Sequence, residues 1–84
     1  MYKLEIYVTL KKDVLDPQGK AISNAAYSLN IKNILDIKQG KYFEVILDNI
    51  SDKKNAELIG KKLSESLLCN QVIEDYKIIR IKKI

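Results

Sequence analysis

The chain of 84 residues has no histidine and no tryptophan, and it has one cysteine, Cys69, and one proline, Pro17. Because histidine is the commonest general base and transition-metal ligand, its absence argues against self-contained acid–base or metal catalysis. A single cysteine excludes an internal disulfide framework, and without an imidazole partner Cys69 is a poor candidate for a nucleophile. We interpret it as a small buried hydrophobic residue in a protein of the reducing cytoplasm.

Long hydrophobic runs are also missing. No segment approaches the ~20 apolar residues of a membrane-spanning helix, and no basic segment followed by an apolar one opens the chain, so we expect neither a membrane anchor nor a signal peptide. The composition, 46% hydrophobic and 31% charged, is typical of a globular domain. The length predicts one domain, residues 1–84, with a thin core, for which an oligomer is a reasonable expectation. We interpret the spread net charge of +4 mainly as a solubility feature.

Hydrophobic periodicity predicts a strand followed by a helix in the first third of the chain. Residues 2–11 alternate apolar and polar side chains, as in a strand with one buried face. Asp16 is a candidate N-cap, Pro17 suits the first helical position, and Asn30 can take the left-handed position at the helix end. The predicted helix carries apolar side chains at helical spacing: Ile22, Ala25, Ala26 and Leu29.

The middle of the chain has the pattern of a β-hairpin. Alternating residues share one face of segment 33–37, and Phe43, Val45 and Leu47 share one face of the next segment. Residues 39–41, which include Gly40, are the predicted turn between them. The sequence therefore predicts two paired strands here.

A second helix and a last strand complete the pattern. Ser51 or Asp52 is the candidate N-cap, Asn70 is a plausible helix end, and residues 74–82 form the predicted last strand. The apolar stripe of this helix is Ala56, Ile59, Gly60, Leu63 and Leu67, where the glycine allows close approach to a sheet. The order βαββαβ predicts an α+β split-βαβ (ferredoxin-like) sandwich, with two helices on one face of a mainly antiparallel sheet.

The last strand is predicted to be apolar on both faces. Tyr76 and Ile78 alternate to one side, while Ile79 and Ile81 alternate to the other. We therefore expect a second chain to cover part of this strand, so that dimerisation completes the fold and these four residues are candidates for self-association. The alternative is that Ile79 or Ile81 packs under a helix end of the same chain.

Two pairs of carboxylates, Glu74-Asp75 and Asp13 with Asp16, are the groupings closest to a catalytic or metal site. Neighbouring residues on a strand point to opposite faces, so we do not expect Glu74 and Asp75 to converge on one ion. Asp16 is most simply a helix cap. Gly40 lacks the spaced glycines of a phosphate-binding loop, and we assign it to the hairpin.

Two other functions fit the predicted fold. Residues 39–46 are similar to the signature of RNA-recognition domains, but Lys41 stands where a stacking aromatic residue is needed and Glu44 adds negative charge. A stand-alone module that binds an amino acid between βαββαβ units is supported by fold analogy alone. An RNA binder would show salt-sensitive binding to single strands, and a regulatory module would gain thermal stability with an amino acid.

Four stretches that together cover nearly the whole chain have a characteristic order and spacing: Val8-Thr9-Leu10-Lys11, Val14-Leu15-Asp16-Pro17-Gln18-Gly19-Lys20-Ala21-Ile22, Gly40-Lys41 before an apolar strand, and Asn70-Gln71-Val72-Ile73-Glu74-Asp75-Tyr76. In this order and spacing they resemble the PurS family, the small subunits of bacterial phosphoribosylformylglycinamidine synthase. Three positions depart from the family pattern. Asn30 replaces a common glycine, Gln39 a common arginine, and Gln71 a common proline.

The resemblance implies a non-catalytic subunit of an ATP-dependent carbon–nitrogen ligase in purine biosynthesis. It would bridge a PurL synthetase and a PurQ glutaminase, so that ammonia from glutamine reaches the activated formylglycinamide ribonucleotide. It also implies that ATP and Mg are held by PurL and that this chain binds no cofactor, nucleic acid or membrane. For the contact with partners, we select the segment Asp16, Pro17, Gln18 and Gly19, because loops on rigid scaffolds commonly carry recognition.

Overall fold

A computed structural model describes residues 1–84 as a three-stranded sheet and two α-helices, the second of which continues into a short π-helix. The elements, in chain order, are β1 (Tyr2–Leu10), α1 (Pro17–Ser28), β2 (Gly40–Leu47), α2 (Lys53–Leu63), the π-helix (Ser64–Leu68) and β3 (Glu74–Lys83). The sheet order is β2-β1-β3, with β1 antiparallel to both neighbours. The predicted α+β class and antiparallel sheet are confirmed.

The core lies between the central strand and α2. One face of β1 is buried, and with two residues from the helical region it forms the core: Tyr2, Leu4, Ile6, Val8, Ala56 and Cys69. Gly60 of α2 is buried against the sheet, and a Cβ atom there would lie 2.9 Å from Leu4 Cδ1. The close approach predicted for Gly60 and the burial predicted for Cys69 are both confirmed.

The helix ends follow the predicted capping residues. The Asp52 carboxylate accepts a hydrogen bond from the Asn55 backbone N–H at 2.8 Å, so Asp52, not Ser51, caps α2. Asn30 has a φ of 64°, as predicted for the residue beyond the end of α1. The predicted stripe of the second helix does not extend to Leu67, which is 75% exposed, because the chain changes there to π-helical geometry.

The predicted hairpin is wrong. Residues 31–39 form no strand, and β2 begins at Gly40, in the predicted turn. Asn33 has a φ of 71°, a left-handed backbone that cannot continue a strand. Gly40 does not adopt a positive φ, so the tight two-residue turn that glycine favours is absent.

Residues 11–39, which we name the arm, project from the sheet. Packing on β1 and β3 comes from α2, and α1 makes no comparable contact with any strand. The radius of gyration is 16.3 Å, whereas a compact chain of this length has about 12 Å. The prediction of two helices on one sheet face therefore holds for α2 and fails for α1. Neither helix combines the length and the apolar character that crossing a membrane requires.

The prediction that β3 is apolar on both faces is also wrong. A β-bulge at Ile79 shifts the register between β1 and β3. As a result Tyr76, Ile78 and Ile81 all lie opposite the buried residues of β1 and pack against the core of the same chain. Of the four self-association candidates, only Ile79 is mainly on the surface, with 50% of its area exposed.

Candidate partner-docking site

The segment from Asp16 to Gly19 lies at the base of the arm, where α1 begins and the chain returns to β2. One carboxylate oxygen of Asp16 accepts from the Gly19 N–H at 2.9 Å, and the other accepts from the Gln39 N–H at 2.8 Å. These hydrogen bonds, Gln39 first, hold the pKa of Asp16 below its ordinary value because they favour the ionised form. Asp16 therefore caps α1 as predicted and also joins the two ends of the arm.

Two further residues of the segment have structural roles. Pro17 occupies the first turn of α1, where its missing N–H is not needed. Gly19 is buried, and a Cβ atom there would overlap the backbone oxygen of Ile37 on the returning chain. Glycine is required at this position for close approach of two backbones.

Gln18 is exposed and has no capping role, but its side chain lines a cavity of about 270 Å³. Val8, Leu10 and Pro17 give this cavity apolar walls, and Gln39 and Lys41 add polar groups. The structure thus brings the predicted segment together with the start of β2. Gln39 and Lys41 were not predicted as site residues, because only the return of the arm places them beside Gln18.

The first residues of β3 close the same end of the sheet. Glu74 lines the cavity, accepts from the Asn70 N–H at 2.8 Å and lies 3.5 Å from Lys41 Nζ. Asp75 instead pairs with Lys11 at 2.6 Å. The two carboxylates have separate partners, as their strand positions predicted. No group of three or more histidine, cysteine, aspartate or glutamate side chains is placed to hold a metal ion.

The sheet face opposite α2 carries polar and aromatic side chains. Tyr7 and Tyr42 meet edge to face with ring centroids 6.3 Å apart, and the Tyr42 hydroxyl donates to Glu5 at 2.5 Å. That hydrogen bond raises the pKa of Tyr42 to about 12, and it lowers the pKa of Glu5. Arg80 also pairs with Glu5 at 3.2 Å. The negative charge of Glu5 on this face is unfavourable for binding the phosphate backbone of a nucleic acid.

Burial raises the pKa of the Cys69 thiol above its usual range, and nearby carboxylates of Glu74 and Asp75 add to the shift. A raised pKa lowers the thiolate fraction, which is the reactive species. Cys69 is therefore suited to packing and poorly suited to nucleophilic chemistry.

Comparison with known proteins gives one consistent family. The family model described as PurS, phosphoribosylformylglycinamidine (FGAM) synthase, matches residues 3–82. The PurS subunit of Bacillus subtilis is 43% identical, over 92% of this chain and 89% of its own length. The PurS subunit of Mycobacterium leprae is 41% identical, over 95% of this chain and 96% of its own.

Solved structures agree in fold. The crystal structure of PurS from Methanocaldococcus jannaschii superposes with a TM-score of 0.88 and 31% identity, covering 100% of this chain and 99% of that one. A chain in the structure of PurLQS from Thermotoga maritima superposes with a TM-score of 0.71 and 27% identity, covering 99% and 96%. The chain therefore belongs to the PurS family, the small subunits of the FGAM synthase of purine biosynthesis.

Proposed function

We propose that this chain is the non-catalytic subunit that holds a PurL synthetase and a PurQ glutaminase together, so that ammonia released from glutamine reaches the ATP-activated formylglycinamide ribonucleotide. One observation carries the proposal: the likeness, over 99% of this chain, to a chain of the T. maritima PurLQS structure. ATP and Mg belong to PurL in this scheme.

The chemistry of the chain supports a structural role. It has no histidine, and burial raises the pKa of its one thiol. The carboxylates with shifted pKa values, Asp16 and Glu5, are held ionised by hydrogen bonds, first of all from Gln39 and Tyr42 respectively, and are not poised to exchange protons near neutral pH. A subunit that positions two enzymes needs stable surfaces more than such groups.

We further propose that the chain forms a homodimer or a higher homo-oligomer and acts in the cytoplasm. Large apolar side chains are exposed along the arm, including Leu15, Tyr27 and Leu35, which is fully exposed. Exposed apolar area of this extent is typical of an interaction surface. A buried, unpaired thiol fits a reducing compartment.

For docking to PurL or PurQ we propose the cavity beside Gln18. Asp16, Pro17 and Gly19 shape the loop, so Gln18 is the residue of the segment whose side chain is free to contact a partner. Gln39 and Lys41 extend the same polar rim. The docking surface therefore combines the start of α1 with the start of β2.

Enzyme assays test the bridging role directly. ADP formation from formylglycinamide ribonucleotide is measured with matched PurL and PurQ subunits, with and without this chain, using either glutamine or free ammonia. We expect the chain to switch on glutamine-dependent turnover and to affect ammonia-dependent turnover much less. If it changes neither rate, the bridging proposal is wrong, and salt-sensitive binding to single-stranded RNA and stabilisation by amino acids become the next measurements.

Co-elution of the three subunits tests the docking surface. Gln18→Ala should weaken assembly, and Gln39→Ala should add to the loss while leaving the backbone N–H that Asp16 holds. Lys54→Ala is a suitable control, because Lys54 is exposed at the start of α2, at the opposite end of the sheet. If Gln18→Ala and Gln39→Ala both leave assembly unchanged, this cavity is not part of the partner interface. The bridging proposal would be unaffected by that result.

A further inference from the structure

The cavity beside Gln18 contains two opposite charges that are only loosely paired. Lys41 Nζ lies 3.5 Å from Glu74 Oε2, farther than the about 2.7–2.9 Å of a charge-assisted hydrogen bond. The other oxygen of Glu74 accepts from the Asn70 N–H at 2.8 Å. The Glu74 side chain is only 11% exposed, and a carboxylate buried to this extent is stable when several donors surround it. Glu74 therefore has capacity to accept a further hydrogen bond inside the cavity.

The lysine of this pair is free to change partner. Its side chain is 61% exposed, and exposed ion pairs contribute little to stability. A second pair at the same end of the sheet, Lys11 with Asp75, does not line the cavity and closes at 2.6 Å. The short pair is complete by itself, whereas the long pair leaves both of its charges available to a ligand.

The two charges select the class of ligand. A simple cation beside Glu74 would be repelled by Lys41, and a simple anion beside Lys41 would be repelled by Glu74 and by Asp16, which also lines the cavity. A zwitterion avoids both repulsions, because its ammonium group can donate to Glu74 while its carboxylate accepts from Lys41. A free α-amino acid carries these two groups on the same carbon atom.

The size and the walls of the cavity narrow the class further. Its volume of about 270 Å³ is below the roughly 300–1,000 Å³ of pockets for drug-sized ligands, and it suits a molecule as small as one amino acid. Val8, Leu10 and Pro17 offer apolar contacts to the side chain of such a ligand. The remaining polar side chains, Gln18 and Gln39, are uncharged. The side chain of the ligand should therefore be neutral as well.

We propose that this cavity binds a free neutral α-amino acid, with its ammonium group on Glu74 and its carboxylate on Lys41. Because Glu74 is largely buried and Gln18 is exposed, the ligand occupies the inner part of the cavity, and a partner docked on Gln18 would lie over it. The site is formed within one chain and needs neither PurL nor PurQ. It is independent of the bridging proposal, so the failure of one leaves the other intact.

NMR titration of the isolated, isotope-labelled protein with alanine, leucine and glutamine tests the proposal. We expect saturable shifts of the Lys41 and Glu74 signals with at least one of the three, and a Kd on the order of 1 mM for so small a ligand. The N-acetyl form lacks the ammonium charge and the α-amide form lacks the carboxylate charge, so each should bind about ten-fold more weakly or worse. No saturable shift with any of the three, or equal binding of the blocked forms, overturns the proposal.

Variants with matched controls locate the ligand. Glu74→Gln and Lys41→Met each remove one charge of the cavity pair and should raise the Kd about ten-fold or more. Asp75→Asn and Lys11→Met remove the charges of the pair outside the cavity and should leave the Kd unchanged. Circular dichroism checks the fold, and the exposed Lys41 can be replaced even if Glu74→Gln does not fold. A Kd that Lys41→Met does not change, or that the control variants raise equally, overturns the proposal.

Discussion

The carboxylate of Asp16 accepts a hydrogen bond from the backbone N–H of Gln39, 2.8 Å away and 23 residues later in the chain. The other oxygen of the same carboxylate caps α1 at Gly19. One side chain thus ties the first turn of α1 to the residue that precedes β2. The family motif around Asp16 is explained first by this structural role, and partner contact is proposed only for Gln18.

Asp16→Ala should destabilise the protein more than Asp52→Ala does. Both residues cap a helix, but only Asp16 also holds a second, distant backbone N–H. Removing it leaves the Gln39 N–H without that acceptor and frees the base of the arm. The measurement is the urea midpoint of unfolding for the two variants. Equal midpoints would mean that the bond to Gln39 contributes nothing to stability.

Protonation of Asp16 should cause part of the loss of folding stability in acid. Its pKa in the folded state lies below the ordinary value of 3.8, so the contribution is present above that value and is lost as pH falls through the folded pKa. Asp16→Asn should therefore flatten the acid limb of the stability curve. Asp13→Asn is the control, since Asp13 is a nearby exposed carboxylate without a bond to the returning chain. Identical pH dependence in wild type and Asp16→Asn would contradict the prediction.

Most elements could be predicted from the sequence because their signals are local. The strict alternation of β1, the Asp16-Pro17 start of α1 and the cap at Asp52 each specify structure within a few residues. The pairing of one strand with another is not a local property, and it could not be predicted in the same way. Segment 33–37 has strand-like alternation, but a strand also needs a partner edge and a backbone that permits it, and the positive φ of Asn33 prevents it here.

The register of β3 could not be predicted, because a bulge changes which face every later residue occupies. Four apolar residues at positions 76, 78, 79 and 81 have the pattern of a two-faced strand, and the single unpaired residue Ile79 makes it a one-faced strand. The neighbours of Gln18 could not be predicted for a related reason. Segment 16–19 is a local motif, whereas Gln39 and Lys41 are brought beside it by the path of the arm, which depends on the tertiary fold.

Gly19→Ala should be clearly destabilising, by about 1–3 kcal/mol, because the added Cβ overlaps the backbone oxygen of Ile37. Gly60→Ala is the matched comparison. Its Cβ meets the ends of the Leu4 and Ile78 side chains at 2.9 and 3.3 Å, which can adjust, and the gain of up to about 1 kcal/mol in helix propensity offsets the crowding. Thermal unfolding of the two variants distinguishes them. A smaller loss for Gly19→Ala than for Gly60→Ala would show that the arm is not packed at its base.

The bulge predicts very different losses of stability when two neighbouring isoleucines are replaced by alanine. Ile78 packs under α2 against the core, so Ile78→Ala should cost about 2 kcal/mol. Ile79 is the unpaired residue and half exposed, so Ile79→Ala should change stability by less than about 0.5 kcal/mol. Urea unfolding of both variants measures the difference. A reversed order would mean that β3 pairs without the bulge.

The sheet face opposite α2 contains a hydrogen bond that can be observed by titration at high pH. The Tyr42 hydroxyl donates to Glu5 across the β1–β2 pair, and this raises the pKa of Tyr42 from 10.0 to about 12. Because the folded pKa is the higher one, the stabilisation is present below pH 10 and is lost as pH rises toward 12. Tyr42→Phe should therefore remove one phenol ionisation near pH 12 from the ultraviolet titration of the folded protein.

The same substitution should raise the pKa of Glu5, because the Tyr42 hydroxyl is the largest influence that lowers it. Carboxyl NMR measures that change. Tyr76, whose hydrogen bond to Glu65 also raises its pKa to about 12, keeps part of the alkaline transition, so the comparison is of its amplitude. If Tyr42→Phe leaves the amplitude near pH 12 undiminished and the Glu5 pKa does not move, the Tyr42 and Glu5 side chains are not bonded in solution.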